Sequence, residues 1–123
     1  MKIVIAGAGE IGSHLAKMLS MEYHEITVIS PDEENLDKIS SESDIVTVEG
    51  NPTSIDTLIS AGVKEADLFI AVNPDVLQDV NIVSAALAKK LGSKKVTARI
   101  NNEEYQKNDN RILFTDLGID SLF

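Results

Sequence analysis

Short, continuous apolar runs alternate with amphipathic segments along most of this chain. The first run covers residues 3–6, and apolar residues then recur at helical spacing over 11–19. Two further runs, apolar apart from Thr27 and Asp67, cover 26–29 and 67–72, with helical patterns after each of them. A strand that is apolar at every position is typical of a parallel sheet covered by helices on both faces. The pattern therefore predicts a single domain of the α/β class, built on a doubly wound parallel sheet.

The last part of the chain departs from this regular alternation. A polar helical pattern begins at about Glu103, and residues 105–111 form the one strongly polar stretch, YQKNDNR, which predicts a surface loop. The final residues, LGIDSLF, have the pattern of a last strand. Because Leu122 and Phe123 resemble the middle of that strand, we expect the chain to be part of a longer protein.

Three glycines lie directly between the first predicted strand and the first predicted helix. Gly7, Gly9 and Gly12 have the spacing G-x-G-x-x-G. In such a loop the first glycine permits a tight turn, the second lets the backbone approach a phosphate, and the third lets the helix pack closely. The free N–H groups and positive dipole end of the helix then attract a dinucleotide's pyrophosphate. The loop predicts nucleotide binding and a Rossmann-type strand order, with a purely structural glycine turn as the alternative.

The ribose side of the predicted site is less typical. Dinucleotide-binding sheets usually place an acidic residue at the end of the second strand, where it binds the ribose hydroxyls. This chain has Ser30 at that position and Asp32 two residues later. Asp32 could reach the ribose, or it could serve as a first-turn acid favoured by the helix dipole. No arginine stands nearby to take a 2′-phosphate, which argues against NADP.

Charge and composition exclude several other classes of function. The chain has 20 acidic and 11 basic residues and a formal net charge of -9, which disfavours binding to nucleic acid or to an anionic membrane surface. No apolar run approaches the roughly 20 residues that span a bilayer. Cysteine is absent, and His14 and His24 lack a second ligand at helical spacing. We therefore expect no metal site, no direct membrane insertion and no nucleic-acid partner.

The ordered set of segments resembles the N-terminal domain of Trk-type potassium-uptake regulatory proteins of the TrkA family, called the KTN or RCK N-terminal domain. The resemblance covers nearly the whole chain. Many dehydrogenases share the glycine loop, so the ordered set is the more specific signal. The segments that carry it are IVIAGAGEIGSHLAKML, VEGNPTSIDTLISAGVKEADLFIAV, VNIVSAALAKKLG, TARINNEEY and LGID.

This resemblance implies a cytoplasmic regulatory subunit and not an enzyme. Such domains bind NAD(H) or an adenine nucleotide and assemble into dimers or rings. The rings lie at the inner face of the plasma membrane, where they gate a membrane potassium-translocating subunit. A second ligand-binding domain usually follows, so residues 1–123 would be the first domain of a longer regulator. NAD(H) is the expected cofactor, with ADP, AMP and ATP as alternatives.

The resemblance also assigns cofactor-binding residues by position and implies no catalytic residue. The phosphate loop comes first, then the ribose position, the segment after the third strand, the end of the fourth strand and a basic residue after the fifth. Arg99 would face the phosphates or the cleft, with a surface ion pair as the alternative. The predicted residues are Gly7, Ala8, Gly9, Glu10, Ile11, Gly12, Ser30, Asp32, Gly50, Asn51, Pro52, Thr53, Ala71, Val72, Asn73 and Arg99.

Three of these residues depart from the family pattern. Glu10 stands where ATP-responsive relatives carry arginine, and a carboxylate there would repel a γ-phosphate. Ser30 and Asn51 replace two acids on the ribose and adenine side. Two other hypotheses therefore stay open: an oligomerising scaffold with a vestigial pocket, and the cofactor domain of an NAD-dependent dehydrogenase. The dehydrogenase would need a general acid or base, for which the chain offers no credible candidate.

Overall fold

The computed structural model describes residues 1–42 and 44–123. Within that part of the chain, none of the helices has the length and the apolarity that crossing a bilayer requires. Two short 3-10 helices, Val63–Glu65 and Asp75–Leu77, precede the fourth strand and the fourth α-helix. The strands are β1 (Lys2–Ala6), β2 (Glu25–Ser30), β3 (Val46–Glu49), β4 (Leu68–Ala71), β5 (Lys95–Ala98) and β6 (Ser121–Leu122). The helices are α1 (Glu10–Ser20), α2 (Glu33–Glu42), α3 (Ile55–Ser60), α4 (Gln78–Leu91), α5 (Glu103–Gln106) and α6 (Asn108–Asp116).

The six strands form one parallel sheet in the order β3-β2-β1-β4-β5-β6. In its centre, Ile5 of β1 pairs with Val28 of β2 on one side and with Ile70 of β4 on the other. The chain leaves β1 toward β2 and later returns to β4, so the strand order reverses between β1 and β4. In open sheets of this kind, ligands bind at the carboxyl ends of the strands beside such a reversal. The predicted Rossmann-type α/β fold is confirmed.

Alternate side chains of β1 enter two separate cores, one on each face of the sheet. Ile3 and Ile5 pack in the core under α1 and α2. Val4 and Ala6 pack in the core under α3 and α4. All four side chains are fully buried. Because helices cover both faces, the strand can bury every one of these positions, and this explains its unbroken apolar run.

The prediction of a surface loop over 105–111 is wrong. These residues lie in α5 and α6, with a break in the helical backbone at Lys107. Asn102 caps α5, its side-chain oxygen accepting a hydrogen bond from the Glu104 N–H at 3.0 Å. The Tyr105 and Phe114 rings pack with centroids 4.9 Å apart. The polar residues therefore form the exposed sides of two short helices that a few apolar side chains hold to the core.

Candidate functional site

The turn that follows β1 lies tightly against the neighbouring strands. The Gly7 N–H donates to the Ile29 carbonyl at 2.9 Å, and Gly7 has φ +126°, which L side chains rarely adopt. A Cβ on Gly7 would stand 2.9 Å from both the Asn73 nitrogen and the Val72 carbonyl carbon. Both the backbone conformation and the approach of the chain after β4 therefore require glycine at this position.

The other two glycines of the motif differ sharply in what surrounds them. A Cβ on Gly12 would overlap the carbonyl of Gly7 and lie 3.3 Å from a methyl group of Val72. The packing of α1 on the turn therefore requires Gly12. A Cβ on Gly9, by contrast, would meet no atom within 4 Å. Gly9 has φ -75° and ψ -162°, which most residues can adopt. Neither the fold nor the backbone explains a glycine at position 9, which faces open space.

This open space is a cleft of about 380 Å³ at the carboxyl edge of the sheet. It lies at the N-terminus of α1, whose N-cap residue is Gly9 and so has no side chain to cap the helix. The first N–H groups of α1 are thus left for a ligand. The cleft brings together four segments that are distant in the sequence: the glycine loop, the ribose position at the end of β2, and the segments after β3 and β4. The lining residues are Ala8, Gly9, Ser30, Pro31, Asp32, Asn35, Asn51, Pro52, Asn73, Pro74, Leu77 and Val80.

A second, smaller hollow of about 260 Å³ adjoins the cleft, and Gly9 and Pro74 line both. Its remaining lining residues are Glu10, Ile11, Val72 and Arg99. The two cavities together account for most of the predicted site residues. Within residues 1–42 and 44–123, five predicted residues line neither cavity: Gly7, Gly12, Gly50, Thr53 and Ala71.

Ser30 and Asp32 both take part in the start of α2. The hydroxyl of Ser30, which is almost fully buried, accepts a hydrogen bond from the Asp32 N–H at 3.0 Å. The Oδ1 atom of Asp32 accepts one from the Asn35 N–H at 3.3 Å. Asp32 therefore caps α2 from the position before its first turn, and is not itself a first-turn acid. Ser30 still has its own proton to donate, and Asp32 its second oxygen to accept with, both at the wall of the cleft.

Asn51 shapes the loop after β3. Its Oδ1 accepts hydrogen bonds from the Thr53 N–H at 2.9 Å and from the Thr53 hydroxyl at 2.8 Å. A carboxylate could accept the same two bonds, so the amide preserves the turn. What changes is the other end of the side chain, which presents an NH₂ donor where an acid would present an acceptor. The free NH₂ group of Asn51 can therefore donate to a ligand acceptor, a hydroxyl oxygen included, but cannot accept a hydroxyl proton as an acid would.

The polar residue that sequence reasoning missed is Asn81 on α4. Asn81 is fully buried, and its Oδ1 accepts hydrogen bonds from the N–H and the side-chain amide of Asn73. Its own amide donates to the carbonyls of Asn73 and Arg99. One side chain thus joins the chain after β4 to the chain after β5. Spacing alone gave a usable signal, because Asn81, Ala85 and Ala88 form the buried stripe of α4 and an asparagine in such a stripe needs partners.

Arg99 forms the ion pair that was one of its two expected roles. Its Nη2 atom lies 2.9 Å from Oδ1 of Asp75, which begins the 3-10 helix Asp75–Leu77. Among the residues described, Arg99 is the single cationic side chain that lines either cavity. Glu10 lines the smaller hollow with it. An anion in the smaller hollow would therefore meet one cation, which is already paired with Asp75, and the repulsion of the Glu10 carboxylate.

Another cavity, of about 460 Å³, lies at the opposite edge of the sheet. It is lined by residues where the strands begin, among them Lys2, Glu25 and Val46. The glycine loop does not line it, and ligands of parallel sheets bind at the carboxyl edge, so its greater volume does not make it the better candidate. No cluster of three or more potential metal ligands occurs within residues 1–42 and 44–123.

Within the described part of the chain, two carboxyl groups have a shifted pKa, and both lie outside the cleft. The Lys2 N–H and the Lys94 ammonium hold the pKa of Asp67 below its usual value. For Asp120, partial burial raises the pKa, but hydrogen bonds from the Val96 N–H and from Lys89 outweigh it and lower the pKa. These groups stabilise strand ends and have no contact with the candidate site.

Curated proteins similar to this chain belong to potassium uptake systems. The chain is 43% identical over 105 residues to a "Trk system potassium uptake protein TrkA homolog" of Archaeoglobus fulgidus, covering 85% of this chain and 23% of that protein. It is 31% identical over 120 residues to the homolog of Methanothermobacter thermautotrophicus, covering 98% of this chain and 52% of that protein. The chain thus spans about a quarter of the length of the first relative and about half of the second.

Solved structures of the same fold share less sequence. The TrkA-N domain of the inner membrane protein ybaL from Escherichia coli superposes with a TM-score of 0.81 at 19% identity, over 99% of this chain and 85% of that one. The GsuK channel bound to NAD superposes with a TM-score of 0.79 at 19% identity, over 98% of this chain and 21% of that one. The C-terminal domain of Shewanella denitrificans Kef in its AMP-bound form gives a TM-score of 0.71 at 20% identity, over 100% and 70%.

The family assignment follows from a match along almost the entire chain. The model of the TrkA-N domain matches residues 3–123, which include the glycine turn, the cleft and the Asn73–Asn81 pair. Together with the potassium-uptake relatives, this match identifies the chain as a member of the TrkA-N domain family.

Proposed function

We propose that this chain binds an adenine nucleotide in the cleft beside Gly9, with NAD(H) as the first candidate and ADP and AMP next. The observation that carries the proposal is the open space at Gly9, at the N-terminus of α1. The cleft volume of about 380 Å³ lies within the roughly 300–1,000 Å³ of small-molecule sites. Structures of the same fold hold NAD in the GsuK channel and AMP in Kef, and these ligands share an adenosine phosphate unit.

The phosphates would lie against the first turn of α1. Three successive N–H groups, of Glu10, Ile11 and Gly12, have no intrahelical acceptor at the start of a helix. The positive end of the helix dipole adds to their attraction for an anion. A side chain at position 9 would stand between these groups and the ligand. The missing Cβ at Gly9 therefore leaves room for a phosphate, since packing within the protein does not require glycine there.

The adenosine half would lie along the ends of β2 and β3. There Ser30 can donate a hydrogen bond, Asp32 can accept one, and Asn51 can donate through its free amide group. This set can bind ribose hydroxyls and ring nitrogens. Ser30, which stands at the usual position of the ribose-binding acid, forms a weaker bond there than a carboxylate would, because hydrogen bonds to charged groups are about twice as strong as neutral ones. We therefore expect moderate affinity.

The charge at the phosphate end favours diphosphates over triphosphates. Glu10 lines the hollow next to the glycine loop, and the chain as a whole carries a net charge of -9. Two like charges about 4 Å apart repel by about 1 kcal/mol even in bulk water. ATP would bring more negative charge to this end than NAD, ADP or AMP. It is accordingly the least favoured of the expected ligands.

In this proposal the bound nucleotide is a signal and not a substrate. Within the described residues, Asp32 is the titratable side chain that lines the main cleft, and it already caps a helix. The cleft therefore lacks the paired acid and base of an enzyme site. We infer that homo-oligomers of this domain act on a membrane potassium-translocating subunit from the cytoplasmic side. The relatives, which are named as Trk system potassium uptake proteins, support a role in potassium uptake. A nucleotide acts in this way only if it binds two states of the assembly unequally.

Thermal unfolding with NADH, NAD, ADP, AMP and ATP in turn tests the binding half of this proposal. A ligand at 100 times its dissociation constant stabilises a protein by about 2.7 kcal/mol, a rise of about 10 °C in Tm at this size. We expect the largest shift with NAD or NADH and the smallest with ATP. No shift with any nucleotide would instead support a scaffold whose pocket is vestigial, a reading favoured by the internal hydrogen bonds of Ser30 and Asn51.

A further inference from the structure

We propose that Arg99 exchanges its partner Asp75 for a phosphate of the bound nucleotide, and that Asp75 thereby couples binding to the 3-10 helix Asp75–Leu77. The inference rests on the proposed function, because it needs a phosphate-bearing ligand beside Gly9. Its starting point is the ion pair between Arg99 Nη2 and Asp75 Oδ1, at 2.9 Å. Arg99 also lines the hollow that Gly9 and Glu10 share.

The backbone of Arg99 is held on both sides while its side chain reaches the cavity. The Arg99 N–H donates to the Ala71 carbonyl at 2.8 Å. The Arg99 carbonyl accepts from the buried Asn81 amide at 2.9 Å. The side chain itself is 24% exposed. An exchange of partners therefore requires new side-chain rotamers and no movement of β5.

The groups that line the hollow favour a ligand phosphate over Asp75 as the partner of Arg99. Its other lining groups are apolar apart from Glu10, whose carboxylate repels an anion. A guanidinium can bind a phosphate through two parallel hydrogen bonds, a geometry that a single contact to Asp75 Oδ1 does not use. Asp75 is also 49% exposed, so water can solvate its carboxylate when Arg99 leaves. The ligand-free ion pair is accordingly a weak one.

Asp75 links this exchange to a different part of the surface. It begins the helix Asp75–Leu77, whose Leu77 lines the main cleft and whose Val76 is 90% exposed. When Arg99 turns to a phosphate, this segment loses its side-chain tie to the end of β5. Ligand binding thus loosens the helix Asp75–Leu77, which carries the exposed Val76. By linkage, Asp75 must in return weaken binding of the phosphate.

Calorimetric titration of the full chain with NAD and with adenosine, which has no phosphate, tests the exchange. Asp75→Asn removes the competing charge, and we expect it to bind NAD about three- to tenfold more tightly than the unmodified chain. Asp79→Asn is the matched control, since it removes an exposed acid from the first turn of α4, and should stay within about twofold. In an Arg99→Gln background Asp75→Asn should have no effect on NAD, and adenosine affinity should not respond to any of these changes.

A fluorescence measurement reports on the segment itself. The chain contains no tryptophan, so Val76→Trp provides a single reporter on the exposed face of the helix Asp75–Leu77. We expect NAD to change its emission when Asp75 is present, and to change it much less in the Asp75→Asn variant, whose segment is already released. Equal responses in both would contradict the coupling.

The outcomes separate this proposal from the one on which it rests. If the unmodified chain binds none of the nucleotides, both proposals fail. If NAD binds and Asp75→Asn behaves like Asp79→Asn, the nucleotide site stands and the exchange is overturned. The exchange is also overturned if Asp75→Asn tightens NAD binding in the Arg99→Gln background, because the effect would then be general charge and not a shared partner.

Discussion

Asn81 holds Asn73 through three hydrogen bonds at the rim of the cleft. The Asn81 Oδ1 atom accepts from the Asn73 N–H at 2.8 Å and from the Asn73 side-chain amide at 2.9 Å. The Asn81 amide donates to the Asn73 carbonyl at 3.1 Å and to the Arg99 carbonyl at 2.9 Å. One buried side chain on α4 therefore fixes the position of two loops that line the candidate site.

Replacing this residue should destabilise the fold by several kcal/mol. Asn81→Ala leaves the Asn73 N–H and the Arg99 carbonyl without partners in a buried region, and each such loss costs about 1–3 kcal/mol. We expect a free energy of unfolding lower by about 3 kcal/mol in urea titration. Ser84→Ala is the control, because the Ser84 hydroxyl is equally buried but bonds only within its helix. A cost for Asn81→Ala no greater than for Ser84→Ala would contradict this role.

The glycines of the first turn should respond to alanine in opposite ways. Gly12→Ala places a Cβ against the Gly7 carbonyl, where backbone must move, and should cost about 2–3 kcal/mol of stability. Gly9→Ala adds a Cβ in open space and should change stability by less than about 1 kcal/mol, the worth of a changed helix cap. Chemical unfolding of the two variants measures the contrast. Equal losses would show that Gly9 also has a structural role.

The sequence predicted the central part of the fold because local patterns determine it. The buried run 3–6 and the glycine spacing of Gly7, Gly9 and Gly12 each depend on neighbours in sequence, and both appear in the structure as expected. The segment 105–111 was misjudged because its polarity is a property of exposed helix surface as much as of loops. Only the packing of Tyr105 on Phe114 distinguishes the two, and this contact is tertiary.

Sequence position indicates which residues line the candidate cleft, but it does not indicate which hydrogen bonds they form. The cleft brings together Ser30 and Asp32, at the end of β2, with Asn51, after β3, as the strand order implies. That the Ser30 hydroxyl and the Asn51 oxygen already accept bonds from within the protein depends on loop conformations that propensity does not determine. The pair Arg99–Asp75 joins residues far apart in sequence, which a single sequence cannot show.

Removing the charge of Glu10 should relax the discrimination against triphosphates. Glu10→Gln removes the carboxylate that lines the hollow beside the glycine loop, and with it the repulsion of a terminal phosphate. We expect ATP to bind about threefold more tightly or better, and NAD to gain less. Titration of each nucleotide into the variant gives the ratio. Glu103→Gln makes the same charge change in the first turn of another helix, and a similar ratio there would contradict a local effect.

The stability of the domain should fall in acid, in part through Asp120. The folded pKa of this carboxyl is lowered, so its contribution is present above the unfolded value of about 3.9 and is lost as pH falls through the folded pKa. We expect Tm to decline below about pH 4, and Asp120→Asn to lower Tm at pH 7 while reducing the decline. The side chain is 40% exposed, so the effect at pH 7 is about 1 kcal/mol or less. Asp109→Asn, an exposed acid on α6, should leave the acid decline unchanged.

The most direct test of nucleotide binding beside Gly9 is calorimetric titration of NAD into the unmodified chain and into Gly9→Val. The variant side chain would enter the cleft at the phosphate position while meeting no protein atom within 4 Å at its Cβ. We expect saturable binding by the unmodified chain, and at least a tenfold loss in Gly9→Val, whose Tm without ligand should fall by no more than about 4 °C, the worth of the changed helix cap. Undiminished affinity in a folded Gly9→Val chain would show that the nucleotide binds elsewhere, and would contradict the site proposed here.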